Sequence, residues 1–263
     1  MVEPVAGQGA AAFGRERLRS AREAPYTVRL GWGEDGVAAL APISQVLVVV
    51  DVITFSTAVA VAVERGATVH PHPWDPDAAA ALARRLGGTA AVSRSLVSAS
   101  NPFSLSPATL DRAAPGAVIV LPSPNGSTLA AAAAKEGCLV LAGSLRNAAA
   151  VARLARRRGR VISVIAAGER WSGGGMDPAV EDLVGAGAVV HGLRRRRRAP
   201  EASAAVAVFR QARRQGIRQV LAESVSGREM RSRGYGDELE WAAALNVSAV
   251  VPVLRQGAFV GEG

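Results

Sequence analysis

The stretch Gln45-Val46-Leu47-Val48-Val49-Val50-Asp51-Val52-Ile53-Thr54-Phe55-Ser56 decides how the chain folds. Its unbroken aliphatic run has no polar alternation, so it reads as a strand buried on both faces, as in parallel sheets covered by helices. A polar loop, residues 51–56, follows, and then an Ala/Val-rich helix to about Glu64. The same order of run, loop and helix recurs. Residues 117–121 lead through 122–127 to a helix ending near Glu136, and residues 138–142 lead through Gly143-Ser144 to one ending near Arg158. Residues 160–167 lead through a glycine-rich loop to a helix over about 178–193. Gly66, Gly137 and Gly159 stand where helix C-caps belong. The pattern predicts an α/β protein, a three-layer α/β/α fold with a mostly parallel or mixed sheet. In such folds ligands bind beyond the carboxyl ends of the strands, where these loops gather.

The whole chain agrees. Its 263 residues are 49% hydrophobic but only 4% aromatic, so the core is built from Ala, Val and Leu, and disorder throughout is excluded. Residues 1–25 read as a loose arm, 26–255 as one α/β domain or two close lobes, and 256–263 as a frayed tail. The formal charge is +9, nearly all from Arg. Read as dispersed along the chain and lacking stacking aromatics, this excess disfavours a nucleic-acid partner and suits attraction of a small anionic substrate. The basic run at 194–198 reads as a solvated helix end. The lone Cys138 permits no internal disulfide and reads as a small buried hydrophobe. No signal-peptide pattern or membrane-length apolar segment is present, so a soluble cytoplasmic protein is expected, and a homo-oligomer is compatible.

Candidate chemistry sits in the loops. Asp51 ends a buried strand, where a carboxylate is costly unless a cation, a proton-transfer role or a helix cap uses it. Ile53 excludes the Asp-x-Asp pattern of aspartyl-phosphate phosphatases. The loop with Ser123, Asn125, Gly126, Ser127 and Thr128 has the hydroxyls and free amides of an anion site, or is an ordinary turn capped by Ser127. It is not a Walker A loop. Ser144 reads as a cap, with Asn147 facing the same edge. In the next loop, Asp177-Pro178 resembles a helix start. Glu181 and Asp182 in the first turn either complement the helix dipole or join Glu169 around a hard cation. Arg170 could grip an anionic group bidentately. Asp237 with Glu240 fits a capping box, or Asp237 is a further metal or water ligand. His70-Pro71-His72, read as a loop after a strand, is a weak metal signal.

In order, Asp51-Val52-Ile53-Thr54-Phe55-Ser56-Thr57, Leu105-Ser106-Pro107, Ser123-Pro124-Asn125-Gly126-Ser127, Gly143-Ser144-Leu145-Arg146-Asn147, Gly168-Glu169 with Glu181-Asp182-Leu183, and Ser226-Gly227-Arg228 with Gly236-Asp237 resemble the ComB-like 2-phosphosulfolactate phosphatase family. The resemblance runs from about residue 45 to Leu254. It implies a Mg²⁺-dependent hydrolase that cleaves 2-phospho-3-sulfolactate to sulfolactate and phosphate, a step of coenzyme M biosynthesis. On this reading Mg²⁺ is held by Asp51 with Glu169, Glu181 or Asp182, and Asp237 as a further ligand. Residues 125–128 hold the phosphoryl group, Asp51 or Glu181 activates water, and Arg170 and Arg228 meet the carboxylate or sulfonate. Thr54 stands where the family has Arg and Phe55 where it has Ala, so sulfonate specificity is less secure than phosphate chemistry. The alternative is a non-catalytic binder of phosphometabolites or nucleic acid on the same loop, which the nearby carboxylates disfavour.

Overall fold

The computed structural model describes residues 25–171, 173–194 and 196–263. In chain order the elements are β1 (Val28–Trp32), α1 (Gly33–Leu40), β2 (Val46–Val50), α2 (Phe55–Glu64), β3 (Thr68–His72), α3 (Pro76–Leu86), β4 (Thr89–Ala90) and α4 (Pro107–Leu110). Next come β5 (Val118–Pro122), α5 (Gly126–Ala134), β6 (Leu139–Gly143), α6 (Ala148–Arg158), β7 (Ile162–Ala166), the small hairpin β8 (Glu169–Arg170) and β9 (Met176–Asp177), and α7 (Val180–Gly192). Four further helices, α8 (Pro200–Gln215), α9 (Ile217–Glu223), α10 (Val225–Ser232) and α11 (Glu238–Ala243), precede β10 (Val251–Arg255) and β11 (Ala258–Glu262).

Nine strands form one sheet in the order β1-β7-β2-β6-β10-β11-β3-β5-β4. The first four are mutually parallel, as are the last three. The β10–β11 hairpin lies between these blocks and is antiparallel to both. Twist of roughly 20–25° per step, accumulated over the five steps from β2 to β5, turns the second block far out of line with the first. The loop after β5 thereby returns to the end of β2.

The alternation hidden inside the apolar run of β2 builds two cores. Val46, Val48 and Val50 point to one face, against Leu145, Val151 and Leu154 beside α6 and Val184 and Val189 of α7. Leu47 and Val49 point to the other, against Phe55 and Val59 of α2 and Leu129 of α5. These are the three expected layers. In α7 a side chain at Gly185 would lie 2.4 Å from Val52 Cγ2, so the missing Cβ lets this helix press against the end of β2.

Several expectations need correction. Residues 256–263 are not frayed: β11 is an interior strand, and Phe259 is fully buried edge-on against Phe55, ring centres 6.2 Å apart. Its alternating pattern was too short to stand out. His70-Pro71-His72 belongs to β3 rather than to a loop. The apolar stretch before β2 includes the end of α1. Asp177 lies in β9, and α7 begins two residues beyond Pro178. Gly159 ends α6 in extended rather than left-handed conformation. Residues 1–24, the bulk of the expected arm, lie outside the described residues.

Phe259→Ala should cost about 3–5 kcal/mol in urea-induced unfolding, as a large buried aromatic does. Removing residues 256–263 should leave no cooperatively folded protein. A frayed tail would change neither measurement.

Candidate active site

Asp51 emerges from β2 with 5% of its surface exposed. Both carboxylate oxygens are held by helix starts. Oδ1 accepts from the Phe55 N–H at the head of α2 and Oδ2 from the Gly126 N–H at the head of α5, each at 3.0 Å. A Cβ at Gly126 would sit 2.2 Å from the Phe55 ring and 2.8 Å from Asp51 Oδ2, so only glycine lets the second helix approach. Asp51 is thus a cap, and a double one.

Asp182 makes a second clasp. Its Oδ1 accepts from the Val52 N–H at 2.7 Å and its Oδ2 from the Gly168 N–H at 2.9 Å, tying the loops after β2 and β7 to α7. Glu181 is 2% exposed and, among the described residues, has neither a hydrogen-bond nor an ion-pair partner. Asn125 Nδ2 donates to Glu169 Oε2 at 2.8 Å, joining the loop after β5 to the loop after β7.

These four carboxylates act on one another. Burial, and then the Glu181 charge, raise the Asp51 pKa to about 6 against the amide bonds that lower it. Asp182 is pushed well above the usual carboxylate range by burial, then by Asp51 and Glu181. Glu169 is an exposed residue that lines the cleft beside Asn125. Desolvation of the carboxylate and the Asp51 charge lift its pKa to about 7, and Glu181 and Glu229 add to the effect. Yet among the described residues no three His, Cys, Asp or Glu side chains form a ready metal-binding group.

Other predicted residues are placed differently. Ser123 is buried, with its N–H donated to the His72 carbonyl. The Ser127 hydroxyl donates to the Leu121 carbonyl and that of Thr128 to the Pro124 carbonyl, so both are turned to their own backbone. Asn147 is fully buried. It accepts from Ser144 and donates to the carbonyls of Ala142 and Val250, a structural tie between β6 and the approach to β10. Arg170 pairs with Glu34 of α1. Arg228 is exposed and donates to the Glu223 carbonyl. Asp237 is exposed, caps nothing, and is not among the charges acting on Asp51, Glu169 or Asp182. Glu240, its expected capping partner, pairs with Arg218 instead.

Arg94 and Glu238 went unnoticed in the sequence. Arg94 grips the buried Glu238 with Nε and Nη2, the latter at 2.8 Å, and Nη2 also donates to Thr54 Oγ1 at 3.3 Å. Its guanidinium lies over the Tyr235 ring, 5.3 Å from the centre. A lone Arg in a hydroxyl-rich loop gave no signal; only the fold brings it to Thr54. Beside Glu169 opens a cleft of about 1250 Å³, lined by Trp32, Glu34, Asn125, Arg170 and Met176 among others.

A mixed α/β fold that closes strand-end loops around a buried carboxylate group defines the class: an α/β enzyme-like scaffold with its site at the carboxyl edge. The chain matches the family described as 2-phosphosulpholactate phosphatase over residues 37–257, and belongs to it. This is a family of phosphoric monoester hydrolases. Among curated proteins no sequence matches the chain. No helix among the described residues is long and apolar enough to cross a membrane.

The Glu169 shift has a measurable sign. A carboxyl raised in the folded state stabilises the fold at low pH, and that contribution is lost as pH rises from about 4.5 through about 7. In EDTA, Glu169→Gln should melt higher than the parent at pH 8, and the gap should shrink towards pH 5. A gap independent of pH would assign the effect to packing instead of charge.

Proposed function

We propose that the protein is a cytoplasmic Mg²⁺-dependent phosphatase acting on 2-phospho-3-sulfolactate or a closely related phosphorylated hydroxy acid. Family membership supports the reaction class. The observation that carries the cation is Glu181, a buried carboxylate without a partner among the described residues, near enough to the buried Asp51 for its charge to raise that group's pKa. An anionic substrate cannot enter such a group unless positive charge accompanies it. The donors are all oxygen, which suits a hard cation. Among hard cations, Mg²⁺ keeps waters and binds through one or two carboxylates plus substrate phosphate. Glu181 and Asp51 would hold it, where it would supply charge neutralisation for the phosphoryl oxygens.

The chain's own groups have distinct tasks in this reading. The first-turn amides of α5 beyond Gly126 have no partner within the helix and would face phosphoryl oxygens. Asn125 orients Glu169 through its amide. Glu169, with a pKa near the operating pH, would take the proton of the attacking water and return it to the departing hydroxy acid. Asp182 holds the backbone of both loops in register and needs no contact with substrate. Arg170, at the mouth of the cleft, would exchange Glu34 for the substrate's carboxylate or sulfonate.

Phosphate release from a panel of phosphorylated hydroxy acids, 2-phosphosulfolactate included, should require Mg²⁺ and stop with EDTA. Silence across the panel from folded protein would overturn the proposal. Glu181→Gln should raise the Mg²⁺ concentration needed for half activity at least tenfold, as disturbing a metal's surroundings does. Glu169→Gln should lower kcat by about 10²–10⁴-fold and remove the rising limb of the pH profile at or below about 7. An unchanged limb would move the base elsewhere.

A further inference from the structure

The chain carries 31 Lys and Arg against 22 Asp and Glu, a surplus of nine. Over much of the described surface arginines meet carboxylates, as Arg65 meets Asp111 and Arg255 meets Glu262. One region differs. Beyond the end of α7 and along α8, arginines lie among arginines, whereas Arg158 at the end of α6 pairs with Glu262. After burial, the largest cause, Arg210, Arg194, Arg198 and Arg213 all depress His191, and Arg210 and Arg194 also depress Arg198. The surplus is therefore concentrated, not dispersed as the sequence suggested.

Helix-end capping accounts for part of it. Arg196 donates to the carbonyls of Arg156, Gly159 and Arg160 and so closes the end of α6. Arg198 donates to the Leu193 carbonyl, but its Nε is buried without a partner among the described residues. Arg194, Arg197, Arg210 and Arg213 are exposed, and among the described residues none has a carboxylate partner. Arg213 is steadied over the Phe209 ring, 5.8 Å from its centre. The backbone of Arg197 is fixed by accepting the N–H groups of Thr27 and Val28. Arg195 lies outside the described residues.

Arg194, Arg198, Arg210 and Arg213 all lie close enough to His191 to act on it. Arg210, Arg213 and Arg214 share a face of α8 by their spacing, and the run from Arg194 continues from the end of α7. Crowded like charges favour a multivalent anion, and guanidinium forks match phosphate oxygens. Among the described residues the large exposed apolar side chains lie elsewhere, so nothing here would enter a lipid surface. We propose that the end of α7, the basic run that follows it and α8 bind the phosphate backbone of a nucleic-acid duplex without reading its sequence. Glu181 opens α7 and His191 stands near its end, ten residues or about 15 Å away, so this surface and the catalytic group are separate.

Anisotropy of labelled duplex DNA and duplex RNA of one sequence tests this through salt titration. Four neutralised phosphates give a log–log slope of about −3.6 on DNA, or roughly 10²-fold weakening between about 50 and 200 mM salt. Reversing Arg194, Arg197, Arg210 and Arg213 to Glu should abolish binding to both duplexes while phosphate release persists. Reversing Arg84, Arg85, Arg112 and Arg231, which changes net charge equally, should leave most of the slope. If the reversed variant does not fold, single Arg→Gln changes should each reduce the slope by about 1. Binding to DNA, RNA or both supports the proposal, and the preferred duplex names the source. No binding at about 50 mM salt, equal losses in the two reversed variants, or capture of polyglutamate but no duplex would each overturn it.

Discussion

One buried carboxylate organises this protein. Asp51 is withdrawn from water at the end of an apolar strand, and the cost is offset by two amide hydrogen bonds from two different helices. Each oxygen commits one helix start, so the loops after β2 and β5 cannot move independently. Asp182 repeats the device one step along the sheet, binding the loops after β2 and β7. Three strand ends are joined by two carboxylates, and Glu181 is left over between them. The site's electrostatic tension is a by-product of the way its scaffold is fastened.

That dual use explains what was legible beforehand. Asp51 as a cap and Asp51 as a functional group looked like competing readings of the same residue. The geometry shows the cap, with Asp51 holding the starts of two helices side by side. The run from Gln45 to Val50 sufficed for the central strand, and its hidden alternation supplied both cores. Asn125 with Glu169 was legible only as two loop residues, because their meeting depends on how far the sheet turns between β5 and β7. Ser127, Thr128 and Asn147 bond to backbone carbonyls for a common reason. Hydroxyl and amide side chains near helix starts satisfy local backbone first, and sequence does not show which will be spent that way.

The Arg94–Glu238 pair adds a constraint that no local pattern could supply. Its members are far apart in the chain, and Thr54 receives the guanidinium within three residues of Asp51. At position 54 a guanidinium arrives from another loop, that of Arg94. Tyr235 beneath it and Glu238 beside it fix its orientation, so the first motif is shaped by the helical segment that precedes β10.

The hairpin of β10 and β11 sits between two parallel blocks that are both made before it as the chain is synthesised. Neither block can find its place in the sheet until this late segment has left the ribosome and wedged between β6 and β3. The contacts concerned are among the most distant in sequence, and such closures are slow. A nascent chain would hold two half-sheets with open edges, the form most prone to wrong pairing. Chain order thus makes the two strands that follow both blocks the keystone of this sheet.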